Sequence, residues 1–154
     1  MKKAILGIIV FAIISGAVLL FYPQSIEEPI ESQMCLGAAG CYQEKITSVI
    51  DGDTIYTNTL KIRLSLTNTP ERGEDGFAEA TEFTRNLCPV GSVILFDQDD
   101  LQKVDVFGRV LGEVWCEGKL LNSELLYAGH ANISTRYCST SEFAGEAWAK
   151  EFGC

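Results

Sequence analysis

The stretch LKIRLSL, residues 60–66, alternates apolar and polar side chains without a break. A half-buried β-strand has that period, because successive side chains point to opposite sides. Leu60, Ile62, Leu64 and Leu66 are expected to face a core, and Lys61, Arg63 and Ser65 to face away. A single strand is not stable, so neighbours are required. EKITSVI (44–50) and DTIYTN (53–58) precede it, and SVILFD (92–97) and DVFGRVLGEVW (105–115) follow, the last interrupted by Gly108. All four are rich in strand-forming residues.

Between the two groups, NTPERGEDG (68–76) reads as a loop by its Pro, Gly and charges. FAEATEFTRNLC (77–88) places Phe77, Ala80, Phe83, Thr84 and Leu87 near helical spacing until Pro89 stops it. Asn122 is positioned to cap a helix over SELLYA (123–128), which Gly129 closes. Ser139 and Glu142 form a capping-box pattern ahead of a last helix in FAGEAWAKEF, closed by Gly153. The order β-β-β-α-β-β-α-α predicts an α+β domain, mainly β: a five-stranded OB-fold barrel with three helices.

The chain begins differently. Lys2 and Lys3 precede Ala4–Tyr22, which holds no charge and is mostly apolar. A helix of that length spans about 30 Å, the thickness of a bilayer's hydrocarbon core. The flanking charges orient its N-terminus inward and the rest outward. The apolar run continues through VLLFY, past the small residues of SGA, which favours an uncleaved anchor over a signal peptide. PQSIEEPIESQ (23–33) reads as a linker, followed by the short loop CLGAAGC. The expected organisation is an anchor or signal over 1–22, a linker and short disulfide loop over 23–43, and the barrel domain over 44–154.

All six cysteines, Cys35, Cys41, Cys88, Cys116, Cys138 and Cys154, follow the apolar segment. An even count in a small exported domain reads as disulfides. A zinc site is opposed by the lack of any C-x-x-C pair and by a single histidine, His130. His130 follows the glycine that ends a helix, where a cation suits the dipole, and is given no catalytic part. Asn132-Ile133-Ser134 is a glycosylation sequon.

Lys2 and Lys3 are the only charges before Glu27, so the remainder holds 10 basic and 21 acidic residues, a formal charge of −11. Such a surface repels polyanions at long range, and a function on nucleic acid must overcome that locally. The candidate groups are Asp53 at the start of the second strand, Arg63 on the polar face of the third, Asn68, Thr69 and Glu71 just past its end, and Arg109 in the fifth. Converging at one barrel mouth, the oxygens would suit a hard cation such as Ca²⁺, a second carboxylate would prepare a water, and two arginines would grip phosphate. That set suits in-line hydrolysis of a phosphodiester.

VIDGDTI, IRLSLTNTPE and DVFGR, in this order, closely resemble the staphylococcal nuclease (thermonuclease) family, as do GKLLNSELLYAG and the terminal EAWAK. The resemblance covers about residues 44–152. It implies an OB-fold with flanking helices and Ca²⁺-dependent cleavage of DNA and RNA. By position, Asp53 matches the metal carboxylate and Thr69 the residue offering its backbone carbonyl to the metal. Glu71 matches the acid near the attacking water, and Arg63 and Arg109 the phosphate-binding arginines. Asp51 matches the other aspartate of the turn, not a direct ligand, and is expected to shape an Asx-type turn. Phe107 and Tyr137 occupy aromatic positions and can stack on a base. Cys88 and Cys116 lie beside the barrel by the family pattern. With the cysteines of CLGAAGC and the two flanking the last helix, this gives the pairing 35–41, 88–116 and 138–154.

Three features depart from the family. Asn68 stands where a second metal-binding aspartate is common, so the ligand set lacks a charge, although Glu74 and Asp75 lie close in sequence. The loop from Pro70 to Phe83 is shorter than in the staphylococcal enzyme. Val106 replaces a basic residue beside the phosphate site, and Thr135 replaces a nucleotide-contacting tyrosine. The expectation is a monomeric nuclease, an endonuclease acting on DNA or RNA at the outer face of a membrane or after secretion. Its rivals are a non-catalytic OB-fold binding module of the cell envelope, favoured by Asn68 and the acidic charge, and a purely structural extracellular domain.

Overall fold

The barrel is wound around one long strand, β1 (Gly40–Val49). Its first half pairs antiparallel with β5 (Val93–Gln98), from Gly40↔Gln98 to Lys45↔Val93. Its second half pairs with β2 (Thr54–Thr57), with a bulge between Ile46 and Ser48. A bulge bends a strand and adds twist, which lets one strand serve two sides of a closed sheet. β2 pairs with β3 (Lys61–Leu64), and β5 with β6 (Val110–Cys116), both antiparallel. β3 and β6 then pair in parallel and close the ring. A closed five-stranded barrel with helices results, consistent with an α+β OB-fold. The structure, a computed structural model, describes residues 34–154. The apolar segment 1–22 and residues 23–33 lie outside the described residues. Among the described residues no helix is long and apolar enough to cross a membrane.

Short elements complete the chain: β4 (Thr67–Asn68), α1 (Phe77–Leu87), β7 (Lys119–Leu120), α2 (Leu121–Tyr127), β8 (Asn132–Ile133) and α3 (Ala147–Phe152). Two 3₁₀ turns, Thr135–Thr140 and Glu142–Gly145, precede α3. The barrel interior is filled by Ile46, Ile55, Ile62, Ile94, Phe96 and Val114, with Leu121 and Leu125 of α2 closing one end. Each fully buried side chain of this size contributes about 1.5–3 kcal/mol. A second cluster joins Leu66, Leu126, Phe143 and Trp148 outside the barrel. The cysteines pair Cys35–Cys41, Cys88–Cys116 and Cys138–Cys154.

Where β6 passes from β3 to β5, a Cβ on Gly112 would lie 2.0 Å from the Asp97 carbonyl oxygen. Only glycine permits that approach. Several local expectations give way to tertiary packing. The third strand stops short of Leu66, whose φ of 60° lies in the left-handed region. Thr67 N–H donates to Ser65 O at 2.8 Å across it, a tight turn that sends Leu66 into the second cluster. Residues 105–109 form a turn at Gly108 (φ 75°), not the start of a strand. Asn122 lies inside α2, fully buried, and caps nothing. Its amide instead accepts from Val114 N–H and donates to Ser65 O and Gly112 O, tying α2 to the closure strands. The expected last helix is broken into a 3₁₀ turn and α3. Glu142 does not complete a capping box; its carboxylate accepts Asp100 N–H at 2.6 Å.

Two buried acids make stability depend on pH. Glu113 in β6 is 2% exposed and accepts a hydrogen bond from Trp148 Nε1 at 3.0 Å. Burial pushes its carboxyl from 4.5 up to about 8. Asp97 is fully buried; its Oδ2 accepts Leu36 N–H, its Oδ1 has no partner among the described residues, and burial pushes it from 3.8 up to about 6. A folded-state value raised above the unfolded one means the native protein holds the proton more tightly. The associated stability is complete below the unfolded value and is lost as pH rises through the folded one. Unfolding midpoints in urea should therefore fall from pH 5 to pH 8, the range spanned by these two groups. Glu113→Gln should flatten the fall, by an amount on the order of a few kcal/mol at pH 8. An unchanged slope in Glu113→Gln would refute the assignment.

Candidate active site

The turn Asp51–Gly52–Asp53 enters β2, and its geometry is set by its own residues. Asp51 Oδ1 accepts Asp53 N–H at 3.2 Å, which makes Asp51 the shaper of the turn. A Cβ on Gly52 would lie 2.6 Å from Thr69 Cγ2 and 2.9 Å from Ala80 Cβ. Glycine thus lets the turn slot between the Thr69 segment and α1, where Thr84 Oγ1 donates to Gly52 O at 2.6 Å. The left-handed turn at Leu66 returns the chain so that Thr69 lies over Asp53. Thr69 N–H and Oγ1 donate to Asp53 Oδ2 at 2.7 and 2.9 Å.

The other oxygen, Asp53 Oδ1, meets Arg63 Nε at 3.0 Å and Thr54 Oγ1 at 3.2 Å. Arg63 spends its remaining donors on acceptors around it. Nη1 donates to the carbonyls of Leu64 and Thr67, and Nη2 to Asn68 Oδ1 at 2.9 Å. Arg109 is held separately. Its Nε donates to Asp105 Oδ2 at 2.7 Å and its Nη1 to Thr54 Oγ1 at 3.1 Å. Thr54 therefore links the two arginine groups through one hydroxyl.

Burial pushes the Asp53 carboxyl above the usual carboxylate range, against the opposing pull of Arg63 and of the Thr69 backbone. Burial likewise lowers Arg63, with Asp53 opposing it and Arg109 adding to it. Two cations that disfavour each other at one wall attract an anion. Both arginines line a cleft of about 290 Å³ together with Asn68, Glu71, Phe107 and Tyr137.

Of the residues expected from sequence, Asp53, Arg63, Asn68 and Thr69 are brought into one hydrogen-bonded group, and Arg109 joins it through Thr54. Glu71 lines the cleft, is exposed, and acts on Arg63 through its charge. Glu74 is turned to its own loop, accepting Glu71 N–H at 2.7 Å. Thr54 and Asp105 went unnoticed in the sequence. The signal for Asp105 was its i,i+4 spacing to Arg109; Thr54 was visible only as a strand-former.

The donor set fits a hard cation in chemistry. Asp53, the Asn68 amide and the Thr69 carbonyl are all oxygens, and the buried Asp53 charge is incompletely compensated. The set is poor in charge: among the described residues no three His, Cys, Asp or Glu side chains are grouped to hold a metal. A cation binding Asp53 and Asn68 must take both from Arg63.

The family model described as Staphylococcal nuclease homologue matches residues 61–151, more than half of the chain. Arg63, Asn68, Thr69, Glu71 and Arg109 lie within the match, and the Asp51–Thr54 turn lies just before it.

The Arg63–Asp53 pair is shielded, with side chains 13% and 4% exposed, whereas Arg85–Glu82 is a 3.9 Å surface contact. Removing one partner of a shielded pair leaves a buried charge alone. Arg63→Met should lower unfolding free energy by about 3–5 kcal/mol. Arg85→Met should change it by about 0–1 kcal/mol. Urea titration at pH 7 checks both.

Proposed function

Because the chain belongs to the Staphylococcal nuclease homologue family, we propose that it is an exported nuclease, hydrolysing phosphodiester bonds within DNA or RNA with the help of Ca²⁺ or another divalent cation. The single observation behind this reading is the convergence of Arg63, from β3, and Arg109, from the turn before β6, on one cleft beside Asp53 and Glu71.

Asp53, Asn68 and the Thr69 carbonyl would hold the cation, which when bound polarises a phosphoryl oxygen and offsets its charge. The chain's own residues account for the remaining requirements. Arg63 and Arg109 present planar donor forks to the phosphate and stabilise the extra negative charge of the five-coordinate transition state. Water attacks phosphorus in line with the departing oxygen. Glu71, exposed in the cleft, takes the proton that water loses. Phe107, 79% exposed beside Arg109, offers a face on which a base can stack. The arginine wall concentrates positive charge on a molecule whose part beyond the apolar segment carries −11, so substrate is attracted locally and repelled elsewhere.

Export and anchoring through residues 1–22, with the domain acting as a monomer on the outer side of a membrane, are part of the same proposal. The apolar segment and three paired disulfides support it. The rival, a binding module without turnover, draws on Asn68 and on the hold of Arg63 over Asp53.

The full chain, purified oxidised, should cleave DNA or RNA with Ca²⁺, Mg²⁺ or Mn²⁺ and stop in EDTA. Arg109→Ala should lower kcat by about 100-fold or more. Binding without cleavage under every metal would establish the rival, and full activity in Arg109→Ala would remove the mechanism.

A further inference from the structure

The cleft holds a third arginine that neither the sequence reading nor the proposed chemistry uses. Arg136 sits in the 3₁₀ turn Thr135–Thr140 and lines the same cleft as Arg63 and Arg109. Its situation differs from theirs. Arg63 is paired with Asp53 and Arg109 with Asp105. Arg136 is exposed and makes no ion pair among the described residues. Its guanidinium lies over the ring of Tyr137, 4.6 Å from the centroid. The stacking holds the fork out from the chain while leaving its N–H edges free.

The turn that presents this pair is fixed at both ends. Ser134 N–H donates to Leu66 O at 2.7 Å, and Tyr137 N–H to Ser134 O at 2.9 Å. Cys138, the next residue, is bonded to Cys154. On the β5–β6 loop that also lines the cleft, Arg109 lies 5.4 Å from the ring centroid of Phe107. One cleft thus contains two arginine–aromatic pairs on two separate elements. A single phosphate needs only the Arg63–Arg109 group. A second pair, on another element, suits the next nucleotide of a chain.

The geometry points to Arg136 as the residue that takes the phosphate of the nucleotide adjoining the scissile phosphate, its fork held out into the cleft by Tyr137. This inference rests on the nuclease reading for the identity of the neighbouring site. Arg136 is a binding residue and takes no part in bond cleavage.

Binding of a fluorescein-labelled DNA strand of about ten nucleotides, measured in EDTA, tests the subsite without turnover. Arg136→Ala should weaken binding about tenfold. It should also reduce the slope of log affinity against log salt by about 0.7, one phosphate contact on a single strand. Arg136→Lys should restore the salt slope and only part of the affinity, since lysine keeps the charge and loses the planar fork. In cleavage assays Arg136→Ala should raise KM for the oligonucleotide and leave kcat unchanged. A single-nucleotide aryl phosphodiester, which has no neighbouring phosphate, should show no change. The exposed position makes an unaltered thermal melt the control for folding. Unchanged oligonucleotide affinity and salt slope in Arg136→Ala overturn the subsite, as does an equal loss on the single-nucleotide ester. Absence of cleavage by the wild-type protein overturns the nuclease reading alone, because the binding arms still decide the subsite.

Discussion

The parallel pairing of β3 with β6 is the contact on which both the barrel and its cleft depend. Three residue pairs form it: Ile62↔Val110, Arg63↔Leu111 and Leu64↔Gly112. Without it the sheet stays open, running from β3 to β6 and its short partner β7. With it, the residues just before and within these strands become neighbours, so Arg109 comes next to the wall that holds Arg63. The pairing also needs β6 to pass close against the Asp97 carbonyl, which only Gly112 permits. Asn122 then bonds Ser65 and Gly112 from outside and locks the seam. Closure and site assembly are one event in this fold.

Charge in the cleft is arranged in pairs that can exchange partners. Arg63 is shared among Asp53, Asn68 and two carbonyls, and Arg109 between Asp105 and Thr54. In the resting protein these contacts satisfy buried donors and acceptors, which would otherwise cost about 1–3 kcal/mol each. A phosphate could replace these acceptors for the arginines, but Asp53 and Asn68 would then need another positive partner. The same arrangement explains how an acidic chain keeps Arg63 and Arg109 in one cleft: each has a carboxylate partner close enough to stabilise it.

Sequence legibility followed the range of the forces involved. Alternation placed Ile62 and Leu64 inside and Arg63 outside, because a strand's period is local. The Asp51–Gly52–Asp53 turn was readable for the same reason, but separating its two aspartates took the family resemblance, and the structure shows only Asp51's part in shaping the turn. Leu66 broke the alternation because a left-handed residue was needed to bring Thr69 over Asp53, a demand set by a contact 16 residues away. Asn122 looked like a cap, since caps favour asparagine, but its partners are 8, 10 and 57 residues distant. The run 105–109 carried strand-formers around a glycine whose positive φ made a turn instead. Arg136 gave no periodic signal at all; its place in the cleft follows from the packing of the turn that bears it.

The three disulfides divide the cleft by redox condition. Cys88–Cys116 lies within the apolar core, where strand pairing and burial hold its neighbours with or without the bond. Cys138–Cys154 joins the turn bearing Arg136 and Tyr137 to the last residue of the chain, behind a strand of only two residues. One wall of the cleft is therefore held by noncovalent contacts alone, and the other by packing, the Ser134–Leu66 hydrogen bond and a disulfide that exists only where oxidant prevails. In a reducing compartment the arginine wall would persist while its counterpart loosened. The compartment in which the chain folds thereby helps to set how firmly that second wall is held.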